Sequence, residues 1–221
     1  VKYIEAVKSV GVFYMEGLMY RCHPQTLKLL KIIKENNIGK IISIDSSFGF
    51  DIGKIDSDSR LFNINLAGGS ILEVGLYPVS FSRLIAGYEF GKKFLNPYKI
   101  EATATIGKTG VDEISYATLY FDNKIIANVS TAIRKNMNNS AIITGTKGSI
   151  TISNPWVYDK ESGFYESLII VDIEGNRKII DVRRPEHIFS FEVELASRTI
   201  IEKRNEVFPP AMTWDDTLGN I

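Results

Sequence analysis

Apolar residues at positions 1, 4 and 7 open the chain, a spacing that puts Val1, Ile4 and Val7 on one helix face. No capping residue and no initiator Met precede that helix. Gly11 ends it, and Val12-Phe13-Tyr14-Met15 starts a β-prone run that continues to about Tyr20. His23-Pro24-Gln25 predicts a helix start, with Pro24 tolerated in the first turn. Leu27, Leu30, Ile33 and Lys34 share one side of it, and Gly39 supplies a stop. From Ile41 to Phe50 the residues alternate, Ile42, Ile44 and Ser46 opposing Ile41, Ser43 and Asp45, which predicts a strand. Residues 51–67 are a long polar stretch with Asp56, Asp58 and Arg60, and a loop that long in a compact domain is usually functional or mobile.

Gly68-Gly69-Ser70 opens a second helix, Ile71 to about Ala86, stopped by Gly87. Pro78 breaks or kinks it, because proline lacks the N–H that would bond residue 74. From Tyr98 onward the pattern is mostly β, with strands predicted over 98–106, 114–122, 125–133, 140–144, 149–153, 168–173 and 177–182. Asp122-Asn123-Lys124, Gly145-Thr146-Lys147-Gly148 and Glu174-Gly175-Asn176 are the turns between them. A last long helix runs from Ile188 to Arg204, with Ile188, Phe191, Leu195 and Thr199 on one face. Thr213-Trp214-Asp215-Asp216 resembles a capping box with Asp where Glu or Gln is usual, and only five residues follow it. Both ends therefore read as cut, with sequence expected before Val1 and after Ile221. The fold class is α+β: a large, mostly antiparallel open sheet, with helices on one face. Ile142-Ile143, Leu168 to Val171 and Ile179-Ile180 put apolar residues on both faces of that sheet, which predicts a second subunit over the face without helices.

Composition narrows the function. The 26 basic and 26 acidic residues cancel, so no basic field exists to attract nucleic acid or an anionic membrane. One cysteine forbids an internal disulfide, and with two histidines it cannot build a structural zinc site. No apolar run is long enough to span a membrane and no signal peptide is visible, so a cytoplasmic location is expected. At 221 residues, roughly 70 % of the unfolded chain's surface can be buried, enough for a true core.

No two glycines stand two residues apart, so a G-x-G-x-x-G fingerprint is absent. Gly107-Lys108-Thr109 imitates the end of a phosphate loop, but position 102, where that loop needs glycine, is Ala. The informative stretch is Gly68 to Pro78. Glu73 and Tyr77 are four residues apart among Ile71, Leu72, Val74 and Leu76, which places two polar groups on one face of a largely apolar helix. Either they satisfy each other by a hydrogen bond, or they face a pocket as a carboxylate and a phenolic proton donor. Glu16 and Arg21 interrupt the apolar run before Pro24; they are ligand groups at a strand end or an internal ion pair.

These segments, together with Glu16 to Gln25, Ile38-Gly39-Lys40-Ile41, Gly110-Val111-Asp112-Glu113, Ile143 to Ile150 and Ser197-Arg198-Thr199-Ile200, resemble the glucose-fructose oxidoreductase / inositol dehydrogenase (Gfo/Idh/MocA) family. The sequence is most similar to its dihydrodiol and aldose dehydrogenase branch, which has Tyr where many members have His. It departs from the family pattern at Glu73, usually Asp, and at Cys22, usually Phe. The resemblance implies a two-domain Rossmann-type dehydrogenase, of which residues 1–20 are the tail of the nicotinamide-binding domain and 21–221 the substrate-binding and oligomerisation domain. It implies a catalytic Lys just before Val1, NAD or NADP held mainly by the missing part, and a fragment inactive by itself. The implied reaction moves hydride from a CH–OH group of a sugar, polyol or dihydrodiol, in a homodimer or higher homo-oligomer. The implied catalytic residues are Tyr77, as acid/base, and Glu73. Arg21, Phe48, Arg60 and Trp156 are candidates for lining the substrate site, with packing or surface charge favoured for Arg60 and Trp156. The alternative is a non-catalytic relative that binds a sugar or serves as an oligomerisation module.

Overall fold

In a computed structural model, described over residues 2–54, 59–153, 155–156, 168–182, 184 and 186–221, eight strands form one sheet in the order β2-β3-β4-β1-β5-β6-β7-β8. They are β1 Ile41–Gly49, β2 Lys99–Ile106, β3 Asp112–Tyr120, β4 Ile126–Ala132, β5 Ser140–Gly145, β6 Gly148–Ser153, β7 Leu168–Ile173 and β8 Asn176–Asp181. Every pairing is antiparallel except β1 with β4. The strand nearest the start of the chain therefore lies in the middle of the sheet, between two antiparallel sets. Each strand falls where alternation and turn chemistry predict it. In β1 the alternation changes phase, because a register irregularity between Ile41 and Ser43 leaves Ile42 exposed while Ile41, Ile44, Ser46 and Phe48 face inward.

The helices are α1 Lys2–Val10, α2 Pro24–Lys34, α3 Leu76–Glu89, α4 Ile188–Ile201 and α5 Trp214–Gly219. α2 and α3 cover one face of the sheet. Their Leu29, Leu30, Ile32, Ile33, Phe81, Leu84 and Ile85 interdigitate with Ile44, Ala127, Val129, Ile143, Ile150, Ile152, Ile169 and Val171 in a single core. No helix among the described residues is long and apolar enough to cross a membrane.

Several expectations are corrected. The run from Val12 to Tyr20 pairs with no strand among the described residues; Tyr14 N–H ties it to Asn205 O at 3.1 Å, and it ends in a 3-10 turn, Met19–Arg21. The buried side of α2 carries Leu29, Leu30, Ile32 and Ile33, while Leu27 is exposed. Gly39 does not stop α2, which ends at Lys34; with φ +72 it lies against Thr146 and Lys147. Gly87 lies inside α3, where a Cβ would collide with the backbone of Phe94 and Leu95, so close approach and not helix termination requires glycine there. The outer face of the sheet is mixed: Ile126, Ile142, Ile179 and Tyr116 are exposed, but beside them lie Thr118, Asn128 and Asp45, linked by hydrogen bonds of 3.1 and 2.9 Å. Asp56 and Asp58 of the polar stretch lie outside the described residues.

Candidate functional site

Two 3-10 turns, Arg60–Phe62 and Ile64–Leu66, lead into Gly68-Gly69-Ser70. Gly69 N–H donates to Leu61 O at 2.9 Å, and a Cβ on Gly68 would lie 2.6 Å from Arg60 O. Gly69 has φ +113 and lies against Asp112, so both glycines are required by a tight crossing. Ile71–Gly75 then forms one turn of π-helix, and α3 starts afresh at Leu76. Pro78 thus occupies the first turn of α3, where a missing N–H costs no intrahelical bond. The predicted mid-helix break is instead a junction between two helix types.

That junction separates Glu73 from Tyr77. The Glu73 carboxylate pairs with Arg60, Oε2 to Nη2, at 2.5 Å, and the expected Glu73–Tyr77 hydrogen bond does not form. Arg60 is 59 % exposed, so its pair with Glu73 lies at the surface. Among the described residues the Tyr77 hydroxyl has no hydrogen-bond partner. Its ring meets Phe48 edge-on at 5.2 Å and lies 6.0 Å from Tyr20 and 6.3 Å from Trp156. Phe48 is nearly buried, and Trp156 is fully so, its Nε1–H donating to Ser47 O at 2.7 Å. Trp156 therefore backs an aromatic wall, with no hydrogen bond left to offer.

Arg21 stands behind that wall, 1 % exposed. Its Nη1 donates to Ser80 Oγ at 2.9 Å and Ser80 O at 3.2 Å, its Nε to Pro210 O, and its Nη2 pairs with Asp216. Arg83 takes the other Asp216 oxygen at 2.7 Å. Asp216, the residue at the unusual position of the capping box, donates its N–H to Thr213 Oγ1 at 3.3 Å while its carboxylate joins two buried arginines. The structure thus gathers Tyr77, Phe48 and Trp156 in one aromatic cluster, sets the Glu73–Arg60 pair at the surface near it, and leaves Arg21 as an internal ion pair.

Burial pushes the Tyr77 hydroxyl up to about 12, reinforced by the negative charge of Glu192, by Tyr20, and by Glu73 and Glu16. Glu192 is a site neighbour that composition and spacing did not single out. Its Oε1 lies 2.7 Å from where a Cβ on Gly17 would be, and burial raises its carboxyl above the usual range. The signal available was an acid one turn after Ile188, beside Phe191, on the apolar side of the helix. Burial also raises Glu16 and takes the Cys22 thiol to about 12, so Cys22 stays a protonated, inert neighbour. These residues fit the reacting end of a nicotinamide cofactor and its substrate, an aromatic wall beside a phenol free to exchange a proton. They do not fit its pyrophosphate, since the chain holds no glycine fingerprint to cradle one.

Comparison with known proteins bears on the family and the fold. The model of the GFO/IDH/MocA C-terminal domain matches residues 26–151. A mouse trans-1,2-dihydrobenzene-1,2-diol dehydrogenase is 31 % identical over 153 residues, 69 % of this chain and 43 % of the mouse protein. A D-xylose 1-dehydrogenase (NADP+) from Haloferax volcanii is 32 % identical over 126 residues, 57 % of this chain and 36 % of that protein. The chain thus spans less than half the length of these relatives. The fold is shared with aldose-aldose oxidoreductase from Caulobacter crescentus, TM-score 0.79 at 23 % identity, covering 98 % of this chain and 61 % of that one. It is also shared with a 3-ketoreductase from Actinomadura kijaniata, TM-score 0.74 at 17 % identity, covering 96 % and 60 %. With its glycine loop, its open eight-stranded sheet and this family match over more than half its length, the chain belongs to the GFO/IDH/MocA family, whose C-terminal domain it contains.

Proposed function

We propose that this chain is the substrate-binding part of a nicotinamide-dependent oxidoreductase acting on a CH–OH group of a sugar, polyol or dihydrodiol. The observation that carries the reading is Tyr77: a half-buried phenol with no protein partner for its hydroxyl among the described residues, held against an aromatic wall one turn after a carboxylate. The names of the relatives, dihydrodiol and xylose dehydrogenases, support the substrate class, and the NADP bound in the Actinomadura structure supports a nicotinamide cofactor. On this reading residues 1–20 belong with the nicotinamide-binding domain and 21–221 with the substrate domain.

The bound cofactor supplies hydride transfer at its nicotinamide ring. Tyr77 handles the proton. With its pKa near 12 it is a neutral donor at physiological pH, suited to protonating a carbonyl oxygen as that oxygen gains negative charge. In the oxidative direction the same group must accept the hydroxyl proton, which burial and the surrounding carboxylates oppose. A cation beside Tyr77 removes that opposition, and the family resemblance supplies it as a lysine preceding Val1. Arg60 fixes the Glu73 carboxylate, leaving its second oxygen to orient a substrate hydroxyl. Phe48, with Trp156 behind it, gives the flat apolar wall that a sugar or dihydrodiol ring packs against and that excludes water from the reacting carbon. A second copy of the chain packs on the outer sheet face, where Tyr116, Ile126, Ile142 and Ile179 are exposed.

One observation favours a non-catalytic, sugar-binding relative instead: Glu73 already has a protein partner in Arg60. The test is nicotinamide absorbance at 340 nm with the protein carrying this chain together with its nicotinamide-binding domain. D-xylose, a trans-1,2-dihydrodiol and a cyclic polyol are each offered with NAD and with NADP. Reduction of cofactor with one of these substrates is expected; none with any of them overturns the dehydrogenase reading.

A further inference from the structure

The π-helical turn that carries Glu73 and leads to Tyr77 has no cap of its own: Ser70, the residue at its start, makes no side-chain bond to the turn. The cap comes from across the fold. Asp112, at the start of β3, accepts three hydrogen bonds on one carboxylate oxygen: from the Ile71 backbone N–H at 2.9 Å, from Ser70 Oγ at 2.6 Å and from Ser115 Oγ at 2.8 Å. Its other oxygen lies against Gly69, the residue whose φ of +113 turns the chain into the helix. Ser70 is fixed from a second strand as well, because Thr131 Oγ1 donates to Ser70 O at 2.9 Å. Ser70 and Ser115 are buried, so solvent is poorly placed to replace Asp112 as their partner, and the equally buried Thr131 holds Ser70 through its carbonyl. A carboxylate at a helix start also opposes the positive end of the helix dipole.

We propose that Asp112 is a positioning residue for the Glu73–Tyr77 pair: it clamps Ser70 and Ile71, and so fixes the register in which the π-turn delivers the carboxylate and the phenol to the site. This rests on the dehydrogenase reading for what the positioning serves, but the clamp itself is a property of the chain. Of the two ends of the Gly68-to-Tyr77 segment, the far one is anchored by α3 in the core. The near one depends on the crossing with Arg60 and Leu61 and on Asp112. Removing the clamp frees the near end, and a π-turn, with its wider and weaker ladder, can then relax toward α-helical spacing and carry Glu73 around the axis.

The experiment has two readouts. The first is hydrogen exchange of the Ile71 to Tyr77 amides, which needs no activity. In Asp112→Ala exchange at Ile71, Glu73 and Val74 is expected to speed up at least tenfold, with the core amides of β4 and β5 unchanged. The second is steady-state turnover in the full-length enzyme, where Asp112→Ala is expected to lower kcat 10- to 100-fold with KM moving less than threefold. Asp112→Asn keeps the shape and one acceptor oxygen, so it should restore kcat to within about threefold of wild type while exchange at Ile71 still rises severalfold, because the acceptor has lost its charge. Unchanged exchange at Ile71 and Glu73 in either variant overturns the proposal, and Asp112→Asn alone decides it if Asp112→Ala does not fold. Wild-type kcat in a folded Asp112→Ala protein also overturns it. A wild-type protein that turns over no substrate sinks the dehydrogenase reading and leaves the exchange result to judge the clamp.

Discussion

Glu73 directs its carboxylate to Arg60 at 2.5 Å, not to Tyr77 one turn later, and the Tyr77 hydroxyl has no partner among the described residues. The consequence is a separation of stability from chemistry at this position. Tyr77→Phe removes an oxygen that bonds to nothing among the described residues, so the melting temperature should move by little. If Tyr77 transfers the proton, turnover should fall on the order of 10²–10⁴-fold. Melting curves and kcat for the two proteins check this; near-normal turnover would remove Tyr77 from the catalytic role.

Arg60 is mostly exposed, so its ion pair contributes at most about 1 kcal/mol to stability. Arg60→Gln should therefore leave denaturant unfolding nearly unchanged. It should raise KM several-fold, because Glu73 loses the partner that sets the direction of its free oxygen. An unchanged KM would mean that Glu73 does not touch substrate.

Asp216 is 2 % exposed and pairs with Arg21 and Arg83, each 1 % exposed. Asp216→Ala leaves two guanidinium groups buried without a counter-charge, and breaking a buried pair in this way costs about 3–5 kcal/mol. Urea unfolding should show an unfolding free energy lower by that amount, or no folded protein at all. A loss under 1 kcal/mol would show that the arginines find other partners.

His23 caps α2, its Nδ1 accepting from Gln25 N–H at 3.1 Å, and burial, with the Arg184 charge adding and Glu186 opposing, lowers its pKa to about 4. Between the unfolded value of about 6.5 and that folded value, the unfolded chain binds the proton and the folded chain does not. Stability from this group is therefore present above pH 6.5 and lost as pH falls toward 4, on the order of 3 kcal/mol in all. His23→Asn retains a capping side chain and should flatten that acid limb. Taking the difference between the two proteins cancels the opposite trend of Glu16 and Glu192, whose carboxyls burial raises. Parallel curves for the two proteins would disprove the assignment.

Ile142 is exposed on β5, in the central part of the outer sheet face. If a second copy covers that face, Ile142→Asp should convert a dimer into a monomer in sedimentation at micromolar concentration, without a change in circular dichroism. A wild-type protein already monomeric under those conditions would exclude the interface.

The sheet was legible because each strand declares itself locally: period-two alternation ends at Asp122-Asn123-Lys124, at Gly145 to Gly148 and at Glu174-Gly175-Asn176, and the hairpins follow. What local pattern could not show was distance along the chain. The 12–20 run has the composition of a strand, but it is tied to Asn205 and closes in the 3-10 turn Met19–Arg21, so propensity lost to tertiary context. Gly39 and Gly87 stand near the ends expected for their helices, yet they answer to Thr146 and Phe94, side by side with them only after folding. The same holds at the site. Glu73 and Tyr77 are visible as a pair by spacing, whereas Arg60 as the partner of Glu73, Asp216 as the partner of Arg21, and Asp112 as the cap of Ile71 are each joined through space. The π-turn was hidden because nothing in Ile71 to Gly75 distinguishes it from an α-helix; its register is imposed from both ends.

The position of β1 has a consequence for how the chain comes together. β2-β3-β4 and β5-β6-β7-β8 are two meanders, each made of neighbours in sequence. β1 comes first among the strands, yet both of its partners, the parallel β4 and the antiparallel β5, lie much later in the chain. It joins the two meanders into one sheet, and both of its pairings span long separations along the chain, the kind of contact that slows folding. Phe48 rides on that strand. The aromatic wall beside Tyr77 therefore takes Phe48 from the strand shared by both meanders and Trp156 from just beyond β6, so the site depends on both sides of the sheet being joined.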